Sequence, residues 1–115
     1  MYFYVVNMEV TYLVIYDITD DSLRNKVSDT LEDYGLERIQ YSAFIGRLKR
    51  HRLGSLVEDL KTILNSKKAT IDEKRNIQIF PLFELNLKTR IIIDANGGRK
   101  DGSKKNEEKR SVHIY

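Results

Sequence analysis

The sequence contains no cysteine and only two histidines, His51 and His113. The lack of cysteine excludes disulfides, thiolate zinc sites and cysteine nucleophiles, and it is compatible with a reducing compartment, so we expect a cytoplasmic protein. The two histidines lie far apart without a companion at ligand spacing, which leaves a histidine zinc site or a serine–histidine hydrolase without support. A catalytic metal would therefore need oxygen ligands, which magnesium and manganese prefer.

Long hydrophobic runs are also absent from this chain. The apolar amino terminus, MYFYVVNMEV, is far shorter than a membrane span and has no Lys or Arg before its hydrophobic residues. We interpret it as a strand, neither a signal peptide nor a membrane anchor, and expect no membrane partner. A chain of 115 residues with 41% hydrophobic residues suits one compact domain.

Positive charge is concentrated near the carboxyl terminus. Residues 99–110 hold six basic and three acidic residues, so the rest of the chain carries fourteen of each. This distribution argues against positive charge spread over the whole surface, as in a histone, and favours localised basic sites assisted by a flexible tail. We predict a folded domain over residues 1–98 and a basic tail over residues 99–115, whose terminal SVHIY could add a short edge strand.

The stretch YLVIYDITDDSLRNKV predicts a strand followed by a helix. Residues 12–18 are almost all apolar, which indicates a strand buried on both faces in the middle of a sheet, with Asp17 at its carboxyl end. Cap-type residues from Thr19 to Ser22 then precede a helical pattern, and Gly35 with Leu36 supplies a left-handed cap after it. The apolar positions of this helix are Leu23, Val27, Leu31 and Tyr34.

The next segment, LERIQYSAFIGRL, alternates between two rows of residues, as a single strand does. One row belongs to the core. The other row is too polar for a core yet contains a large aromatic residue, which suits an interface or a nucleic-acid surface. The row expected in the core is Ile39, Tyr41, Ala43 and Ile45, and the row expected on the open face is Arg38, Gln40, Ser42, Phe44 and Gly46.

The second half of the chain predicts one helix and two strands. Hydrophobic spacing indicates a helix over residues 51–65, and RNIQIFPLFEL at 75–85 reads as a strand whose Pro81 marks an edge, a bulge or an end. KTRIIID at 88–94 predicts a last strand, closed by turn residues at 96–98. Two helices are thus available to cover one sheet face, which predicts a two-layer α/β sandwich.

Carboxylates are the candidate chemical groups of this sequence. Asp17 ends a central strand, where open α/β sheets present polar groups to ligands, and a magnesium ion there could polarise a phosphodiester and activate water. The alternative is that Asp17 simply forms a turn. For Asp20 and Asp21 we favour a cap or helix-dipole role over a metal role, because both stand at a helix start.

One carboxylate per chain makes a weak magnesium site, but a two-fold dimer would bring in the same acid twice. We therefore predict a homodimer that packs through the polar sheet face. Basic residues beside such a cleft would contact phosphate unless they form a plain solvated face, and aromatic residues would stack on an unpaired base or pack against the other chain. The candidates are Arg24, Lys26 and Arg38 for phosphate, and Tyr16 and Phe44 for stacking or packing.

The stretch YLVIYDITDDSLRNKVSDTLEDYGLERIQYSAFIGRL resembles the amino-terminal half of the CRISPR-associated protein two family, the small protein of the adaptation module. The matching features are the strand ending in Tyr16-Asp17, the DITDD link, the LRNKV helix start, YGLERIQYS and the segment from Phe44 to Gly46. Members usually begin near the position of Met8, so residues 1–7 form an extension or follow an upstream start.

The resemblance implies a ferredoxin-like βαββαβ (α+β) homodimer with an additional carboxyl-terminal strand, and it splits LERIQYSAFIGRL into two strands. It implies Asp17 as the magnesium ligand, with manganese as the other candidate ion. It also implies nucleic-acid contacts at Tyr16, Arg24, Arg38 and Phe44, with Lys26 at a basic position where arginine would hold phosphate more rigidly.

Two functions follow from the resemblance. One is a metal-dependent endonuclease that cleaves single-stranded RNA or duplex DNA, with Arg24 and Arg38 neutralising phosphate charge in the transition state. The other is a non-catalytic dimeric scaffold that holds duplex DNA for the CRISPR integrase, CRISPR-associated protein one, during insertion of new spacers. A ferredoxin-like ribonuclease of the toxin type shares the fold but fits the motifs less well.

Overall fold

A computed structural model describes residues 8–95 and 112–114 of the chain. The chain divides into two compact units, Met1–Leu82 and Phe83–Tyr115. In chain order the elements are β1 (Glu9–Ile18), α1 (Asp21–Asp33), β2 (Glu37–Gln40), β3 (Ala43–Lys49), α2 (Arg50–Leu64), β4 (Arg75–Leu82), α3 (Glu84–Lys88), β5 (Ile91–Ile93) and β6 (Val112–Ile114).

The first unit contains a four-stranded antiparallel sheet in the order β2-β3-β1-β4. The βαββαβ succession with this strand order is the ferredoxin-like arrangement, so the predicted α+β fold is confirmed. β1 is central, as its apolar run predicts. β4 is an edge strand, which explains how the sheet accommodates Pro81, a residue without a main-chain N–H.

Both long helices pack on one face of this sheet. Every second residue of β1 from Tyr12 to Ile18 is buried on that face, whereas Leu13 and Ile15 on the opposite face are only half-buried. The prediction that β1 is buried on both faces is therefore correct for one face alone. The core under the helices contains Tyr12, Val14, Tyr16, Ile18, Leu23, Val27, Leu31, Leu36, Phe44, Leu48, Leu56 and Leu60.

α1 begins and ends where local sequence signals predict. The Asp20 carboxylate accepts a hydrogen bond of 2.9 Å from the main-chain N–H of Leu23, which satisfies one of the donors left open at a helix start. Gly35 has φ +93°, and the N–H of Leu36 then donates to the carbonyl of Leu31 at 3.0 Å. Glycine suits this turn because a side chain would be strained there.

The segment 36–48 forms two strands, as the family resemblance implies, with a turn at Tyr41 and Ser42. The row predicted for the core does not face the helices, although its Ala43 is buried. Phe44 lies opposite Val14 on β1 and is fully buried under the helices, whereas Ile39 and Tyr41 are exposed. Alternation alone does not say which row is buried, and here a register shift between Arg38 and Gln40 also interrupts it.

The second half of the chain follows the prediction less closely. α2 covers Arg50–Leu64, within one residue of the expected bounds at each end. β4 ends at Leu82, and the short helix α3 replaces the rest of the predicted strand. In the second unit the last strand is shorter than predicted and covers Ile91–Ile93. It pairs with Val112–Ile114, so the terminal segment does add a short strand.

Several predictions fall outside the described residues: the extension at 1–7, the turn at 96–98 and the basic tail up to residue 110. Among the helices of residues 8–95, none is long and apolar enough to cross a membrane.

Candidate functional site

Asp17 lies at the carboxyl end of β1 on the sheet face that the helices leave uncovered. Its neighbours Tyr16 and Ile18 point into the core, and its side chain is 67% exposed. The ammonium nitrogen of Lys74 lies 3.8 Å from Asp17 Oδ2. The main chain of Lys74 is tied to the end of β1 by Thr19, because the Thr19 N–H donates to its carbonyl and its own N–H donates to Thr19 Oγ1.

The donor chemistry of Asp17 fits magnesium, which takes one or two carboxylates together with waters. Residues 8–95 contain no group of three or more His, Asp or Glu side chains that could hold a metal ion. Such a site would draw on Asp17 as its carboxylate ligand.

Phe44 and Tyr16 stack on each other inside the core, with ring centroids 6.3 Å apart. Phe44 is 0% exposed and Tyr16 is 5% exposed, so neither ring has a free face for a base. The prediction that Phe44 stacks on a base or packs against a second chain is therefore corrected: its ring packs inside its own chain. Burial raises the pKa of the Tyr16 phenol, against the opposing effect of Arg38.

Arg24 joins α1 to the end of β1. Its Nη1 donates to the main-chain carbonyls of Ile18 at 2.9 Å and Thr19 at 3.3 Å, and its Nη2 pairs with Asp21. The hydrogen bond that Arg24 donates to the Asp21 carboxylate raises the pKa of the guanidinium, which therefore keeps its charge. These bonds occupy most of the guanidinium, which is less available for phosphate than the sequence suggests.

Arg38 extends over the Phe44 ring, with its guanidinium carbon 4.9 Å from the ring centroid. It also donates to the main-chain carbonyl of Tyr41, which accepts a second bond from the Tyr16 hydroxyl at 3.4 Å. Arg38, Arg24 and Tyr16 thus lie together, on the opposite side of the sheet from Asp17. Lys26 lies exposed on α1.

Two residues that sequence patterns missed stand out at this end of β1. Lys74 is one, because only the pairing of β1 with β4 brings it beside Asp17. Tyr41 is the other: it was assigned to the core, yet it is 69% exposed. The guanidinium carbons of Arg24 and Arg38 lie 5.6 Å and 5.9 Å from its ring centroid. The signal available in the sequence was the position of Tyr41 next to Ser42 between two short strands, which indicates an exposed turn.

Asp20 acts as a helix cap, in agreement with the interpretation favoured from sequence. Besides its bond from the main chain of Leu23, its carboxylate pairs with Lys67 at 2.8 Å and accepts from Ser22 at 2.9 Å. The hydrogen bond from Lys67, with those from Leu23 and Ser22, holds the pKa of Asp20 well below its ordinary value.

The loop between α2 and β4, residues 65–74, is anchored by Arg75. Nη1 of Arg75 donates to the carbonyls of Leu64 at 2.5 Å and Lys67 at 2.7 Å, and Nη2 donates to that of Lys68 at 3.3 Å. Its Nε pairs with Glu73 at 2.7 Å, which lowers the pKa of that carboxyl. One guanidinium therefore holds the loop that carries Lys67 and Lys74.

Residues 9–88 match the family model described as CRISPR associated protein Cas2, which covers more than half of the chain. The chain is 54% identical over 59 residues to the CRISPR-associated endoribonuclease Cas2 2 of Pyrobaculum aerophilum, a match over 51% of this chain and 65% of that relative. It is 42% identical over 76 residues to the CRISPR-associated endoribonuclease Cas2 of Korarchaeum cryptofilum, over 66% of this chain and 75% of that relative.

Two further similarities extend this result. A CRISPR-associated endonuclease Cas1/endonuclease Cas2 fusion of Thermoproteus tenax is 44% identical over 59 residues, which are 51% of this chain and 22% of the fusion protein. The crystal structure of a hypothetical protein from Thermus thermophilus superimposes with a TM-score of 0.56 and 29% identity, over 66% of this chain and 84% of that chain.

Proposed function

The chain belongs to the Cas2 family of CRISPR-associated proteins, and from that premise we propose that it is a CRISPR endonuclease that hydrolyses phosphodiester bonds. The names of its relatives favour RNA as a substrate, and duplex DNA is the second candidate. One observation carries the proposal: an exposed carboxylate, Asp17, stands at the end of the central strand beside an exposed lysine.

Catalysis in this proposal requires magnesium, with manganese as a substitute, held between the Asp17 carboxylates of two copies. A bound ion supplies Lewis-acid polarisation of the phosphodiester and acidifies water. Asp17 contributes hard oxygen ligands at an accessible position, which is the donor chemistry that such ions take.

The uncovered sheet face supports a homodimer, but through an apolar row and not through the predicted polar row, whose Phe44 is buried under the helices. Leu13 of β1 lies in register with Ile45 on one side and Phe80 on the other, so an apolar row crosses three strands. Phe80 is 42% exposed. Asp17 follows Leu13 by four residues and therefore projects from the same face. A second copy packed on this face about a two-fold axis would bring a second Asp17 toward the first.

Lys74 is a cation next to Asp17, and we assign it the role that Arg24 and Arg38 have in the sequence-based hypothesis. Its ammonium group lies close enough to Asp17 to bind a phosphate oxygen of a substrate at that carboxylate. A positive charge at this position stabilises the negative charge that develops on the phosphoryl oxygens during hydrolysis. Arg24 and Arg38 lie across the sheet and serve the nucleic-acid strand elsewhere.

A second function, a scaffold for the CRISPR integrase, is favoured by a separate observation. The Thermoproteus tenax relative joins Cas1 and Cas2 in one chain, a combination that suits two proteins acting together. In this function a homodimer bridges duplex DNA and binds a Cas1 dimer during spacer integration, and Asp17 has no catalytic duty.

One experiment separates the two functions. Asp17→Asn and the matched control Asp29→Asn, an exposed carboxylate on α1, are compared with the wild type on single-stranded RNA and duplex DNA, with magnesium, manganese or a chelator. We expect cleavage by the wild type and Asp29→Asn only with metal, and none by Asp17→Asn. Cleavage that survives Asp17→Asn contradicts the catalytic assignment. A spacer-integration assay with Cas1 that is unaffected by Asp17→Asn supports the scaffold, and light scattering tests the dimer.

A further inference from the structure

Tyr41 is an exposed aromatic residue with two guanidinium groups near its ring. The residue is 69% exposed, and the guanidinium carbons of Arg24 and Arg38 lie 5.6 Å and 5.9 Å from its ring centroid. Cations near a ring face are attracted by its quadrupole, so both arginines hold the ring in place. The result is an aromatic surface open to solvent and bordered by positive charge.

Hydrogen bonds also fix the main chain at Tyr41. Its carbonyl accepts from Arg38 and from the buried hydroxyl of Tyr16, and the carbonyl of Ser42 accepts from the N–H of Tyr16 at 3.0 Å. A ring whose backbone is fixed at both turn residues loses little freedom when a ligand stacks on it. Preorganisation of this kind raises affinity, because less conformational entropy is lost on binding.

We propose that Tyr41 is a stacking platform for an unpaired base of single-stranded nucleic acid, with the positive charge of Arg38 favouring the adjacent phosphates. Any nucleobase presents a flat π-face to a ring, and the guanidinium groups favour a polyanion. The nearby Asp21 carboxylate is already paired with Arg24, which limits its repulsion of phosphate. This inference rests on the proposed function as a nuclease, and it adds a preference for one kind of nucleic acid.

The preference is for a strand with free bases over a duplex. In a duplex the base faces are stacked on one another, so a protein ring reaches them only after unstacking, which costs free energy. A single strand offers its bases without that cost. Tyr41 therefore discriminates between the two substrates left open above, and it selects the single-stranded one.

The platform also lies at the end of β1 that carries Asp17. The turn residue Ser42 is bonded to the main chain of Tyr16, and Asp17 is the next residue. The two groups emerge on opposite faces of the sheet, so a bound strand has to pass around the end of β1 to contact both. Tyr41 is accordingly a specificity residue and not a catalytic one.

The test measures binding without cleavage. The full chain with Asp17→Asn, in chelator, is titrated into two fluorescent decamers of identical backbone charge: single-stranded oligoadenylate and the same strand with every base replaced by an abasic site. We expect the base-containing strand to bind about tenfold more tightly. Adding Tyr41→Leu should abolish that difference, whereas Tyr41→Phe should retain it, because stacking needs the ring and not the hydroxyl.

Tyr34→Leu is the matched control, since the Tyr34 ring also lies beneath a guanidinium, that of Arg52 at 4.5 Å, but near Glu9 at the other end of β1. It should leave the base-dependent difference unchanged. The inference is overturned if neither strand binds, if Tyr41→Leu retains the difference, if Tyr41→Phe loses it, or if Tyr34→Leu also abolishes it. Cleavage by the wild type is a separate readout: base-dependent binding without cleavage overturns the nuclease alone, and cleavage with base-independent binding overturns the platform alone.

Discussion

The ammonium group of Lys74 lies 3.8 Å from the Asp17 carboxylate, and both side chains are about two thirds exposed. An ion pair this exposed adds little to stability, because water and salt screen it and both side chains lose rotamer freedom. Loss of the Asp17–Lys74 pair should therefore be easier to detect in activity than in the free energy of unfolding. At this end of β1, Asp17 and Lys74 lie on one face of the sheet, and Tyr41 lies with Arg24 and Arg38 on the other.

Replacing Lys74 by Gln should lower kcat/KM for cleavage by about tenfold to a hundredfold, because a charge-assisted bond to phosphate is lost. The fold should be unaffected, since the main-chain bonds of Lys74 with Thr19 remain. Steady-state kinetics on single-stranded RNA measures the change. Lys68→Gln, an exposed lysine of the same loop, is the control and should behave as the wild type. Equal kinetics for both variants would remove Lys74 from the site.

Phe44→Ala should lower the free energy of unfolding by about 3–5 kcal/mol, because it empties a fully buried ring position. Phe83→Ala should change the free energy of unfolding by less than about 1 kcal/mol, because that residue is 77% exposed. Urea denaturation measures both. Any loss of nucleic-acid binding in Phe44→Ala should follow the unfolded fraction. A stable Phe44→Ala protein that binds nucleic acid poorly would restore a direct role for this ring.

Two glycines should respond in opposite directions to alanine. A Cβ on Gly46 would lie 2.9 Å from the Leu36 backbone, so Gly46→Ala should cost about 1–3 kcal/mol. Gly54 lies inside α2 with nothing within 4 Å of the added carbon, so Gly54→Ala should stabilise by about 0.5–1 kcal/mol through helix propensity. Thermal and urea unfolding compare the pair. Destabilisation by Gly54→Ala would contradict the described α2 surroundings.

The carboxyl group of Asp20 should make stability depend on acid. Its folded pKa lies below the ordinary value of 3.8, so its contribution is complete above that value and is lost as the pH falls toward the folded pKa. Asp20→Asn keeps an N-cap acceptor but removes the charge that Lys67 binds. Urea midpoints measured from pH 7 to pH 2 should therefore fall more steeply below about pH 4 in the wild type. Parallel curves would rule out the Asp20–Lys67 contribution.

Local signals made parts of this fold predictable from sequence. Asp20 and Gly35 limit α1 through interactions within a few residues, so their types are sufficient evidence. The apolar run before Asp17 identified the central strand and the position of the acid. The matched motifs identified the family, and with it the division of residues 36–48 into two strands.

Other features depended on contacts between distant segments. Phe44 is buried because the pairing of β3 with β1 turns it toward the helices, and a period-two pattern is the same for either face. Lys74 meets Asp17 only through the pairing of β4 with β1. Tyr41 is exposed because a turn interrupts the alternation that had assigned it to the core.

The anchoring of the 65–74 loop by Arg75 also determines where this protein can be labelled. The bonds of Arg75 fix the loop on both sides, at Leu64, Lys67 and Lys68 before the tip and at Glu73 after it. The tip itself holds Ile71, which is 88% exposed. A fluorophore or short epitope inserted there should leave the sheet intact, because exposed loop tips tolerate insertion when their supporting bonds lie elsewhere.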